Sequence, residues 1–187
     1  MVTRPRPGEL VSGDAFGVIP TSGGLSIVVA DGLGHGRQAA EASGKAVELV
    51  LAESESDFES VFQSCHRALM RTRGAVMTVV AIDRSAGFLT WCGVGDVEAH
   101  LIQQREGAVR SEACLLRSGV VGFSMPKLRS DRFPIEPGDL LIMATDGVGA
   151  GALAQIRSGA KLDANDLLQR WASDLDDALL LIAQVEE

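Results

Sequence analysis

Three runs of branched and apolar residues constrain this 187-residue chain most: Leu-Ser-Ile-Val-Val-Ala at 25–30, Leu-Leu-Ile-Met-Ala at 140–144 and Ala-Leu-Leu-Leu-Ile-Ala at 178–183. Runs without polar alternation suit central strands covered on both faces. Periodicity alone does not choose among a parallel sheet, sandwich strands and helix-covered antiparallel strands. Each run also abuts acid. Asp31-Gly32 and Asp146-Gly147 follow the first two, Asp176-Asp177 precedes the third, and Gly13-Asp14 makes a fourth mark. Carboxylates beside buried strands are costly to desolvate unless a cation or hydrogen-bond donor meets them. A shared metal site is therefore the first function to weigh.

The length suits one domain able to bury about 70% of its unfolded surface. With 17 basic and 25 acidic residues the formal charge is -8, which gives no support for a general nucleic-acid or anionic-membrane surface. An anionic substrate remains compatible, because a bound cation reverses the local potential. Cys65, Cys92 and Cys114 are odd in number and lack CxxC spacing, so they read as reduced core thiols of a cytoplasmic protein. The opening Met-Val-Thr-Arg-Pro-Arg-Pro has no apolar signal core, and no run reaches the length of a membrane span.

Residues 1–9, with Pro5 and Pro7, are expected to form a flexible arm, and residues 10–187 a single compact domain. An interrupted edge strand is expected over 11–18 and a buried strand over 24–30. Ala39, Ala42, Ala46, Leu49 and Val50 mark a helix over 37–52 by their common face. Phe58, Val61, Phe62, Cys65 and Leu69 do so for 57–71, which Gly74 follows as a stop. Strands at 76–82 and 88–92 form a hairpin, and 97–102 with 108–111 another around Gly107. Further strand signals lie at Leu115, Val120-Val121, 132–135, 140–145 and 178–185. Short helices are expected at 151–156 and, capped by Asp163, at 164–171. The fold class is α+β.

All-oxygen ligands match hard cations such as Mg²⁺ or Mn²⁺. Asp31 suits a bridging carboxylate, with the Gly32 carbonyl as a further oxygen. Asp146 shares that strand-to-glycine context, Asp176 could complete a three-carboxylate core, and Asp14 sits near its own strand end. Each residue has a plainer role available, because strand-end aspartates commonly satisfy turn amides.

Taken together and in order, Gly13-Asp14, Ala30-Asp31-Gly32-Leu-Gly-His-Gly36, Val94-Gly95-Asp96, Ala144-Thr-Asp146-Gly147 and Asp176-Asp177 resemble the PPM (PP2C-like) metal-dependent protein phosphatase superfamily. The compact length is similar to its bacterial sporulation and stress-response branch, in particular the small phosphatases that reset stressosome proteins. The resemblance implies a central β-sandwich of two largely antiparallel sheets flanked by helices. It also implies hydrolysis of phosphoserine or phosphothreonine by water activated at two Mn²⁺ or Mg²⁺ ions. The substrate it implies is a phosphorylated bacterial regulatory protein, such as a stressosome scaffold or related STAS-domain protein. Carried over by motif, Asp31 bridges the metals with the Gly32 carbonyl on one ion, Asp146 and Asp176 hold the second, and Asp14 organises the water shell of the first. Asp96 matches an accessory, weaker third site, and Asp177 competes with Asp176. The family threonine two positions after the Asp pair is here Leu179.

Outside that set, His35 is a candidate general acid, although Leu33-Gly34 separates it from the Asp-Gly pair. Arg37 is a candidate phosphate contact, with Arg4 or Arg6 as further contributors. The competing reading is a catalytically weak or inactive module of the same fold, docking partners through residues 119–128. The retained carboxylates favour catalysis.

Overall fold

The computed structural model describes residues 1–105, 108–157 and 163–186, apart from the Arg157 side chain. The elements follow in the order β1 (Val2–Arg4), β2 (Asp14–Pro20), β3 (Gly24–Gly32), α1 (Arg37–Ala52), α2 (Phe58–Leu69), β4 (Ala75–Asp83) and β5 (Phe88–Val94). Then come β6 (Glu98–Arg105), β7 (Ala108–Ala113), β8 (Ser130–Pro134), β9 (Leu140–Ala144), α3 (Ala150–Arg157), α4 (Ala164–Trp171) and β10 (Ala178–Gln184). One sheet has the order β1-β10-β9-β6-β7 and the other β2-β3-β4-β5-β8, and the paired strands are antiparallel.

The apolar runs now have a physical reading. Side chains alternate across a strand, so an unbroken run needs partners on both faces. On β3, Ile27 and Val29 point between the sheets and meet Val80, Trp91, Leu101 and Met143. Val28 and Ala30 point outward against Ala42, Ala46 and Val50 of α1 and Phe62 and Cys65 of α2. On β10, Leu179 and Leu181 join the inter-sheet core, while Ala178 and Leu180 pack with Ala152 and Ile156 of α3 and Leu167 and Leu168 of α4. Four layers result, two sheets between two helical pairs. Each fully buried Leu, Val or Ile contributes about 1.5–3 kcal/mol. Cys65, Cys92 and Cys114 are free and buried, and burial pushes each thiol up, to about 12, 11 and 12 respectively.

The structure differs from the sequence expectations at a few places. Residues 1–9 are not a loose arm: β1 pairs with β10 through Val2↔Leu180, and the Arg6 amide donates to Asp177 Oδ1 at 2.9 Å. The open edge of β10 supplies the backbone partners that the local sequence does not advertise. The first edge strand begins at Asp14 rather than at 11 and continues to Pro20. Val120 and Val121 form only isolated bridges, with Ser124 and Ala75. The turn expected around Gly107 lies outside the described residues. Among them, no helix is long and apolar enough to cross a membrane.

Candidate active site

Antiparallel pairing brings distant strand ends to one edge of the sandwich. Asp14 opens β2 and Asp31 lies near the end of β3, and the two are direct cross-strand partners. Asp96 follows β5, Asp146 follows β9, and Asp176 precedes β10. Asp31, Asp96, Asp146 and Asp176 line one pocket of about 450 Å³, with Leu33, Gly34, Val76, Gly95, Ser118, Gly119 and Val120. Asp14 is 7% exposed and lies behind this surface.

The Asp-Gly pairs are needed for close packing. A methyl group on Gly32 would meet the Ala39 carbonyl oxygen of α1 at 2.0 Å, and one on Gly147 the Asp177 carbonyl oxygen at 1.8 Å. Only glycine permits these approaches, which seat the α1 start and the β10 start beside Asp31 and Asp146.

Like charges in a half-dry pocket oppose ionisation. Burial pushes the Asp31 carboxyl up to about 8, and Asp14, Asp146, Asp96 and Asp176 add to the effect. Asp14 rises to about 7, chiefly through burial, with Asp177, Asp146 and Asp176 adding and the Thr145 hydroxyl opposing. Asp146 is raised as well, by burial and then by Asp176 and Asp96. Asp14 Oδ2 accepts a 2.8 Å hydrogen bond from Thr145 Oγ1, while its Oδ1 is buried without a partner. A buried orphan oxygen among mutually repelling carboxylates, all of them hard donors, fits a divalent cation. Among the described residues, no three His, Cys, Asp or Glu side chains are already gathered into a closed ligand set.

The acidic pair at 176–177 divides. Asp176 lines the pocket, and its Oδ1 accepts from the Asp177 amide at 2.9 Å. Asp177 is 2% exposed and turns toward Arg6. Leu179, standing where the resembling family has threonine, is buried between the sheets. Its amide donates to Thr145 Oγ1 at 2.9 Å, so Thr145 is the hydroxyl that links β10 to Asp14. Sequence reasoning missed Thr145, although it directly precedes Asp146.

Two other candidates stand away from the pocket wall. His35 Nδ1 faces Glu9 Oε1 at 2.5 Å, and His35 is not among the lining residues. Arg37 opens α1 as an exposed residue and is likewise absent from the lining. Arg4 is paired with Asp174 and the Ser173 carbonyl. Sequence reasoning overlooked Arg73 instead. A methyl group on Gly34 would meet Arg73 Nη1 at 2.6 Å, so this guanidinium rests on the pocket rim. No spacing rule links residues 34 and 73. The Leu33 amide, which donates to the Gly74 carbonyl at 3.1 Å, holds them together.

The SpoIIE model, named for stage II sporulation protein E, matches residues 21–185. The chain belongs to the SpoIIE family. A curated relative of this SpoIIE-family chain is the phosphoserine phosphatase RsbX of Bacillus subtilis (strain 168), 27% identical over 183 residues, covering 96% of this chain and 90% of the relative. A solved structure of RsbX in complex with magnesium is 28% identical at a TM-score of 0.84, covering 98% of this chain and 92% of that one. A structure from work on the bacterial stressosome, as a modular system adapted to control secondary messenger signalling, is 29% identical at a TM-score of 0.86 and covers 98% and 96%. This SpoIIE-family protein is a metal-dependent serine/threonine phosphatase of the PPM type.

Proposed function

We propose that this phosphatase removes phosphate from phosphoserine or phosphothreonine on a cytoplasmic bacterial regulatory protein, a stressosome scaffold or related STAS-domain protein. The observation that carries the reading is the meeting of Asp31, Asp96, Asp146 and Asp176 around one pocket in a chain similar to RsbX along nearly its full length. The all-oxygen lining supports a reading with two Mn²⁺ or Mg²⁺ ions and a weaker third. When bound, such ions supply an acidified water for attack and neutralise charge on the phosphoryl oxygens.

The chain's own residues divide the remaining work. Asp31, with the Gly32 carbonyl, would hold both principal ions, and Asp146 and Asp176 would complete the second set of ligands. Asp14, fixed by Thr145, would order the surrounding water, and Asp96, on the pocket wall, would serve an accessory ion. Asp176 is assigned over Asp177 because Asp176 lines the pocket, whereas Asp177 does not and turns its Oδ1 to the Arg6 amide. Arg73, on the rim, orients the incoming phosphate by charge-assisted hydrogen bonds, a role for which Arg37 is less well placed. His35, held by Glu9 and not part of the pocket lining, is not assigned the leaving-group proton, which solvent would supply.

The test is Mn²⁺-dependent phosphate release from a phosphorylated STAS-domain stressosome protein. Asp31→Asn and Asp146→Asn should each lower the rate by about 100-fold or more, since even outer-shell changes at metal sites cost 10–100-fold. Normal rates in both variants would reject the assigned core.

A further inference from the structure

Beside the acidic pocket stands a short turn that hydrolysis itself does not require. Ser118, Gly119 and Val120 form one pocket wall, and the chain then reverses over residues 120–124. Phe123 projects from that reversal with 85% exposure, whereas the neighbouring Val121 is fully buried. Large aromatic side chains left in water on a rigid element are common anchors of protein recognition.

The turn is firmly built. Val120 and Ser124 exchange backbone hydrogen bonds at 2.9 and 2.8 Å, and the Phe123 amide donates to the Val120 carbonyl at 3.1 Å. Val121 exchanges a second pair with Ala75 at 2.9 and 3.0 Å. The Gly122 amide donates to His66 Nδ1 of α2 at 3.0 Å, and Gly122 holds a φ of +98° against Leu69. A turn tied to both β4 and α2 loses little freedom when its tip is covered, so the apolar contact is not consumed by ordering.

We propose that this turn is a docking post for the protein substrate, with Phe123 inserting into an apolar recess beside the phosphorylated residue of a folded partner. The occupant follows from continuity with the site: Val120 and Leu33, the latter 37% exposed, both line the pocket, so a folded protein presenting its phosphate there brings surface over an apolar lip. A small phosphate ester reaches the same carboxylates without touching Phe123. Recognition of the folded substrate is thereby separated from the chemistry. The proposal rests on the phosphatase reading above.

The experiment compares the Mn²⁺-loaded wild type with Phe123→Ala and Phe123→Leu on p-nitrophenyl phosphate and on the phosphorylated STAS-domain protein. Wild-type turnover of both substrates tests the underlying reading separately, and its absence removes that reading and the docking post with it. With the wild type active, Phe123→Ala should raise KM for the phosphoprotein about tenfold or more, equivalent to about 1.4 kcal/mol. The same variant should leave p-nitrophenyl phosphate kinetics and the melting temperature unchanged, and Phe123→Leu should recover much of the loss. Unchanged KM for the phosphoprotein, or equal losses on both substrates, overturns the proposal. So does a wild-type dimer that Phe123→Ala dissolves without altering phosphoprotein kinetics, because Phe123 then serves a second copy of the chain.

Discussion

Asp14 and Asp31 show how a single residue pair can be unfavourable in the fold and useful in the site. They face one another across β2 and β3, where like charges directly opposite are destabilising. Their neighbours Val29 and Ala30 are fully buried, so the strands have no freedom to part. Thr145 relieves one carboxylate oxygen and leaves the other buried. Arg73 works at the same scale from the opposite side of the charge balance. Removing one charge-assisted contact to phosphate costs about 1.5–3 kcal/mol, or roughly 10–150-fold. Phosphatase assays should therefore find kcat/KM lowered by that factor in Arg73→Ala, with the larger part recovered in Arg73→Lys. Arg37→Ala should stay near wild type.

At the scale of elements, the site depends on how closely backbones approach. Gly147 carries this point best, because an added methyl group meets the carbonyl oxygen of Asp177 rather than a side chain that can swing away. Gly147→Ala is expected to cost about 1–3 kcal/mol, read as a fall of several degrees in melting temperature. Mn²⁺ affinity should fall with it, since the β9 and β10 ends must separate to admit the methyl.

Local elements were legible where local physics decides them. The 37–52 helix and the 164–171 helix with its Asp163 cap stand as their patterns indicate, and Asp57 caps α2 by accepting from the Ser60 amide. The apolar runs at 25–30, 140–144 and 178–183 did announce strands covered on both faces. Their sheet membership was not legible, because β9 lies between β6 and β10, and such pairing is settled by long-range packing. The same limit governs the site. Asp31, Asp146 and Asp176 carry a motif order that sequence retains. Thr145 reaches Asp14 from 131 positions away, and Arg73 reaches Gly34 through a loop contact; neither leaves a periodic trace. The Asp139 corner was hidden for a similar reason. This fully buried carboxylate takes a bidentate contact from Arg105 at 2.6 and 2.7 Å; burial pushes its carboxyl up, and the hydrogen bonds from Arg105, Gln103 and the Glu136 amide, with the Arg105 charge, together hold it below the ordinary value.

For the whole molecule, the acidic pocket makes stability a function of pH and metal together. Asp14 and Asp31 ionise at about 7 and about 8 in the fold, against an ordinary value of 3.8. Between those limits the native state holds protons that the unfolded chain has released. Their contribution is thus complete below the unfolded pKa and is lost as pH rises through the folded values. Asp57, Asp83, Asp139 and Asp163 are shifted downward, so their contributions fade only on acidification below the ordinary value. Metal-stripped protein should accordingly melt at progressively lower temperature from about pH 5 to about pH 9. Saturating Mn²⁺ should remove most of that slope by binding the native state alone, and Asp14→Asn should reduce it without metal, leaving the part that belongs to Asp31. A thermal melt series with and without chelator gives the answer, and a slope insensitive to Mn²⁺ would contradict the account.

The first strand has a practical bearing on how such a protein is handled. Within its sheet β1 pairs with β10 alone, and two residues past it the Arg6 amide grips Asp177 beside the acidic pocket. A bulky fusion or surface tether at the amino terminus would pull on that hold like a zipper tab, with the site at its far end. β10 instead runs away from the pocket toward Gln184. A handle joined beyond that strand would let the enzyme be immobilised, labelled or stretched while its catalytic edge stays slack.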